Sequence, residues 1–144
     1  MKLTKFVAPL LLLPSLAFAH STEMIFNAPI LSCGTNYMNL TLSNLSDHNT
    51  NVKVELYNKS GQPVTPTAST GMDDFLPNEN FTIPANSSVV YYADFRKVNG
   101  NNDCSTSPVI IKIIKDKNSE ILATGYKSAT NTLVQFNINQ GKAF

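Results

Sequence analysis

Apolar and polar residues alternate with a period of two along most of this chain. Met38, Leu40 and Leu42 share one side of the segment 38–43, with Asn39, Thr41 and Ser43 on the other. Val52, Val54 and Leu56 repeat the pattern against Lys53, Glu55 and Tyr57. That period belongs to a half-buried β-strand. Between the two runs lies Ser46-Asp47-His48-Asn49-Thr50-Asn51, rich in turn formers, so the pair predicts a β-hairpin with a long loop. Asn58-Lys59-Ser60-Gly61 closes the second strand, where Gly61 can take positive φ.

The rest of the chain continues in short strands. Residues 62–80 read as irregular, broken by Pro63, Pro66, Gly71 and Pro77. Phe81-Thr82-Ile83 predicts a short strand, Pro84 to Ser87 a tight turn, and Ser88 to Phe95 a long β run. Asn99 to Asp103 reads as an exposed loop. Val109 to Ile114 is the most apolar run of the mature chain, short and β-branched, which predicts a central strand. Asp116 to Ser119 turns the chain into Ile121 to Tyr126. Asn131 to Asn139 is the last strand, with Val134, Phe136 and Ile138 on one side. A strand at Glu23 to Asn27 comes first. No stretch carries an apolar repeat at helical spacing. About eight strands separated by turns predict an all-β, antiparallel β-sandwich, immunoglobulin-like in the broad sense. The absence of Trp removes the core hallmark of antibody domains.

Residues 1–19 change the setting. Lys2 and Lys5 precede the apolar run Phe6–Leu13, and Ala17-Phe18-Ala19 is a small-x-small cleavage pattern. The run is too short to span a bilayer. An export signal is therefore expected, cut after Ala19, leaving residues 20–144 as one domain in the periplasm or outside the cell. The expected mature chain has nine basic and ten acidic residues. Its net charge of −1 offers no footprint for nucleic acid or an anionic membrane. No membrane span or lipid anchor is expected. The abundance of Asn, and of Lys over Arg, reads as an AT-rich bacterial genome. Cys33 and Cys104 form an even pair, which predicts one disulfide in an oxidising compartment. The loop it closes is long, and chain entropy puts its worth at about 4–4.5 kcal/mol.

The wording of Asn44-Leu45-Ser46-Asp47, Val52 to Tyr57 with Gly61, and Ile83 to Ser88 resembles a loose class of secreted bacterial sandwich domains. That resemblance implies the fold and no activity.

Candidate chemistry is sparse. Cleavage after Ala19 frees the α-amino group of His20 beside its own imidazole. Two such nitrogens chelate Cu(II), and a second imidazole completes a T-shaped site. The mature N-terminus thus resembles those of lytic polysaccharide mono-oxygenases and some periplasmic copper carriers. His48 is the other histidine and Asp47 or Met24 an added ligand, whereas the oxygenases' aromatic and second-histidine context has no match here. Asp73, Asp74 and Glu79 cluster in an acidic loop that fits no Ca²⁺ spacing. There is no Gly-x-Ser-x-Gly elbow, selected carboxylate pair or phosphate loop, so no enzyme is expected. Tyrosines on exposed strands supply contact area with a hydrogen-bonding tip. Tyr57 falls on a polar face, and one of Tyr91 and Tyr92 must point outward. The expectation is an exported non-catalytic module that binds a protein or glycan. The alternatives are a periplasmic copper-binding protein and a subunit of an extracellular fibre.

Overall fold

A computed structural model describes residues 21–29, 37–64, 74–94, 108–129 and 132–144. The signal segment, His20, Cys33 and Cys104 lie outside the described residues, as do the Asn99–Asp103 loop and Asp73. Among the described residues eight strands form: β1 (Ser21–Asn27), β2 (Tyr37–Asn44), β3 (Thr50–Tyr57), β4 (Asn80–Ile83), β5 (Ser88–Asp94), β6 (Ile110–Asp116), β7 (Ile121–Ala129) and β8 (Thr132–Asn137). All pairings are antiparallel. They make two four-stranded sheets, ordered β1-β6-β3-β4 and β5-β2-β7-β8.

The period-two pattern does the work expected of it. Met38, Leu40 and Leu42 of β2 and Val52, Val54 and Leu56 of β3 are wholly buried, as are Ile111 and Ile113 of β6. They meet in one cluster drawn from both sheets, so the molecule is a two-layer sandwich. Its two sides are closed differently. On one side the segment 74–79 passes between the sheets. Asn78 N–H donates to Val54 O (2.7 Å), and Asp74 N–H donates to Val90 O (2.9 Å). Phe75 is buried there, stacked on Phe81 at 4.2 Å between centroids and tilted against Tyr91 at 5.5 Å. On the other side Phe26 of β1 meets Phe136 of β8 at 6.0 Å.

Two expectations need correction. Segments 38–43 and 52–57 are not a hairpin, because β2 pairs with β5 and β7 while β3 pairs with β4 and β6. The chain crosses from one sheet to the other through residues 45–49. Likewise β4 and β5, joined by the Pro84–Ser87 turn, lie in different sheets. Buried Asn44 directs the first crossing. Its Nδ2 donates to His48 O, Ile83 O and Pro84 O at 2.8, 3.2 and 3.1 Å, and its Oδ1 accepts from Ser46 N–H at 3.0 Å. The last strand also stops short, at Asn137. Asn139 and Gln140 take φ of 51° and 57°, which turns the chain through Ile138–Gly141. Phe144 then exchanges two backbone hydrogen bonds with Ile121.

Two lysines occupy inward positions. In β6 the buried series Ile111, Ile113 ends in Lys115, and in β7 the series Ile121, Ala123, Gly125 ends in Lys127. A buried ammonium must be hydrogen-bonded. Lys115 Nζ donates to Ser119 O (2.6 Å) and lies 5.6 Å from the centre of the Phe144 ring. Lys127 Nζ donates to Pro29 O and Pro108 O, both at 2.9 Å. Burial pushes the Lys127 ammonium down to about 8.

Candidate functional site

The outer faces of the two sheets differ in chemistry. On the β1-β6-β3-β4 sheet the outward residues include a charged group. Lys112 Nζ lies 2.8 Å from Glu23 Oε2 and 3.9 Å from Glu55 Oε2, and Lys53 Nζ lies 2.8 Å from Glu55 Oε1. Tyr57 donates its hydroxyl to Glu55 Oε2 at 2.7 Å. Lys53 foremost, with help from Tyr57 and Lys112, holds the Glu55 carboxyl below its ordinary range. The same bond to Glu55 raises the Tyr57 hydroxyl.

On the β5-β2-β7-β8 sheet no described outward side chain is charged at neutral pH. The registers Asn39↔Tyr92, Asn39↔Tyr126 and Tyr126↔Gln135 lay four residues in one row across the strands. The row reads Tyr92, Asn39, Tyr126, Gln135. Tyr37, from the neighbouring row, stacks on Tyr92 with centroids 5.8 Å apart and ring planes 26° apart. A parallel row holds Val90, Thr41, Thr124 and Asn137. Thr41 donates to Asn39 Oδ1 at 3.3 Å, which orients the amide in the middle of the tyrosine row. With strands about 4.8 Å apart, Tyr92 and Tyr126 stand roughly 10 Å from each other. Among the described side chains these rows are aromatic, amide-bearing and hydroxyl-bearing.

Of the tyrosines singled out from the sequence, Tyr92 lies on this face. Tyr57 is on the opposite sheet, and Tyr91 is buried in the core, so the three do not form one surface. Tyr37 and Tyr126 belong to the face and were missed. Their parity was legible, since Tyr37 precedes inward Met38 and Tyr126 follows inward Gly125. What the sequence lacked was the order β5-β2-β7 that brings them together.

His48 and Asp47 sit at the tip of the β2–β3 crossing. His48 Nδ1 is 2.9 Å from Asp47 Oδ1, and this hydrogen bond lowers the Asp47 carboxyl. Among the described residues no group of three His, Cys, Asp or Glu side chains is placed to hold a metal ion. In the acidic loop, Asp74 Oδ2 accepts from Val90 N–H at 2.8 Å, so this carboxylate covers the edge of β5. No described helix is long and apolar enough to cross a membrane.

No family model and no curated protein matches the chain. The crystal structure of Thermotoga maritima 1070 is similar in outline, with a TM-score of 0.49 at 11% identity over 88% of this chain and 99% of that one. A likeness that loose carries no argument about function.

Proposed function

We propose that this protein is an exported, non-catalytic β-sandwich, immunoglobulin-like in the broad sense, that acts by binding through the outer face of its β5-β2-β7-β8 sheet. One observation carries the reading: Tyr37, Tyr92 and Tyr126 converge on one face with no described charged side chain among them. Tyrosines give a binding surface rigid contact area at small entropic cost. The test is sedimentation of the mature chain with isolated cell-envelope material. Binding lost on Tyr92→Ser with Tyr126→Ser, and kept on Tyr57→Ser, is the expected result. Equal binding by all three proteins overturns the reading.

The proposal includes a Cys33–Cys104 disulfide. Cys33 lies six residues beyond Asn27 and Cys104 six residues before its ladder partner Ile110. Equal spans from one paired position favour a meeting of the two thiols. Lys127 supports this by binding Pro29 O and Pro108 O at once. Closing the bond releases two protons and two electrons to the thiol oxidant of the exported compartment. Mass spectrometry under non-reducing conditions should find no alkylated cysteine in the mature chain.

A copper site at His20 is the second reading. It is favoured by the start of β1, where Ser21 pairs with Asp116 and Asp116 Oδ2 accepts from Asn51 N–H at 2.9 Å. Ser21 thus lies at the sheet end that carries the His48 loop. Native mass spectrometry with one equivalent of Cu(II) tests it. One bound copper, lost when Gly is placed before His20, supports the site, and no specific copper sinks it.

A further inference from the structure

We infer that β8 is a self-pairing edge: two copies of this protein join by antiparallel pairing of their β8 strands, which merges two four-stranded sheets into one. This contact is independent of the binding proposed for the tyrosine face and is tested without a ligand. A sheet edge presents N–H and C=O groups that a further strand can complete. Proteins that stay monomeric blunt such edges with short strands, charges or covering segments. Among the described residues the edge strands are β1, β4, β5 and β8. The first three each carry such a device. β4 has only four residues. β1 carries Glu23, whose carboxylate lies 2.8 Å from Lys112 Nζ. At β5, Asp74 N–H donates to Val90 O and Asp74 Oδ2 accepts from Val90 N–H, so a side segment covers the edge.

β8 has none of these. It runs for six residues, Thr132 to Asn137, with neither a charged side chain nor a proline. It pairs with β7 on one side and with no described strand on the other. Leu133 is 66% exposed, and the inward residues Val134 and Phe136 are only partly buried. The core is therefore incompletely closed where this edge ends it.

The occupant is a second copy because β8 matches itself. In a two-fold antiparallel pair, inward residues stay inward only if each faces a residue of its own parity. A residue, rather than the gap between two, must then lie on the axis. With Gln135 on the axis, Val134 of each copy faces Phe136 of the other, Leu133 faces Asn137, and the two Gln135 side chains meet. With Val134 on the axis, Phe136 would face Thr132 instead. The first register gives two pairs of an aromatic and a β-branched side chain, which stabilise a sheet, and carries the core across the junction. No charge is brought against another. Each copy uses its β8 edge once, so association closes at the dimer.

Sedimentation velocity of the mature protein over roughly 1–500 µM reads the association. An edge ladder is smaller than a standard interface, so a dimer with a dissociation constant on the order of tens of micromolar is expected. Gln135→Lys sets like charges face to face on the axis and should raise that constant about fivefold at low salt. Asn80→Lys on β4 should not. Gln135→Cys treated with diamide should give a disulfide-linked dimer that the parent does not give. Leu133→Cys should give none, because the two Leu133 positions lie roughly 14 Å apart along the strands in this register. Should Gln135→Lys fail to fold, the parent's concentration dependence and the cross-link supply the readout. A parent that stays monomeric throughout the range overturns the pairing. So does a dimer indifferent to Gln135→Lys, or cross-linking through Leu133→Cys and not through Gln135→Cys.

Discussion

At the scale of single residues, two positions on β7 show how tightly the second sheet is built. Gly125 faces inward, and a Cβ there would lie 2.5 Å from Asn39 O and 2.6 Å from the tip of the Phe136 ring. The ring could tilt, but the carbonyl belongs to the β2 ladder and cannot retreat. Gly125→Ala should therefore destabilise the fold by about 2 kcal/mol, seen as a lower urea midpoint. Because Asn39 holds the centre of the tyrosine row, the same change should weaken the binding proposed for that face. Lys127 gives a pH signature. Its pKa is about 8 in the fold and about 10.4 in the unfolded chain. Between these values the unfolded state holds more protons, so stability rises as pH increases. The full effect is on the order of 3 kcal/mol. Urea midpoints of the parent should rise from about pH 8 to about pH 10 relative to those of Lys127→Met. A constant difference between the two proteins across that window would refute a buried, titrating ammonium.

At the scale of elements, strand positions were legible and strand partners were not. Met38, Leu40, Leu42 and Val52, Val54, Leu56 each mark one apolar face, and each strand formed where that face predicted. A single apolar face is satisfied equally by a neighbour beside it or a sheet opposite it. The alternation therefore could not distinguish a β2–β3 hairpin from a crossing. The deciding contacts are polar and distant in sequence. Asn44 reaches Ile83 O and Pro84 O, and Ser46 Oγ accepts from Glu120 N–H at 2.7 Å. Those bonds gather three connections at one end of the sandwich. Asn44→Ala removes three donated bonds and one accepted bond in a buried place, and should cost about 2–4 kcal/mol. Ser43→Ala, whose hydroxyl meets Ser88 at 2.7 Å on the exposed face, should cost far less. Comparable losses in thermal melts of the two variants would show that Asn44 does not direct the crossing. The buried lysines were hidden for another reason. Lys115 and Lys127 keep the inward parity of their strands, but charge marks a residue as exposed unless carbonyls wait to receive it.

At the scale of the whole molecule, the two sides of the sandwich are unequally secured, and this sets what the proposed disulfide would do. The β4/β5 side is sealed by the segment 74–79 and the Phe75-Phe81-Tyr91 group. On the β1/β8 side two edge strands meet through Phe26 and Phe136, with Ile25 58% and Leu133 66% exposed. Among the described residues β1 pairs with β6 alone, so its retention depends on that ladder and on whatever ties its far end. Lys127 grips the exit of β1 at Pro29 and the entry of β6 at Pro108. A Cys33–Cys104 bond would lock the same two segments six residues beyond the last ladder pair. Reduction should then lower global stability by about 4 kcal/mol and should loosen β1 before any other strand. Hydrogen exchange of the reduced and oxidised protein separates these effects. Amides of Ser21–Asn27 are expected to lose protection first on reduction, while those of β2 and β7 in the second sheet stay protected until global unfolding. Uniform loss across all eight strands would mean that β1 is held by its core residues, Met24 and Phe26, rather than by its tether. Cys33→Ser with Cys104→Ser should reproduce the reduced pattern without reductant, which excludes an effect of the reagent itself.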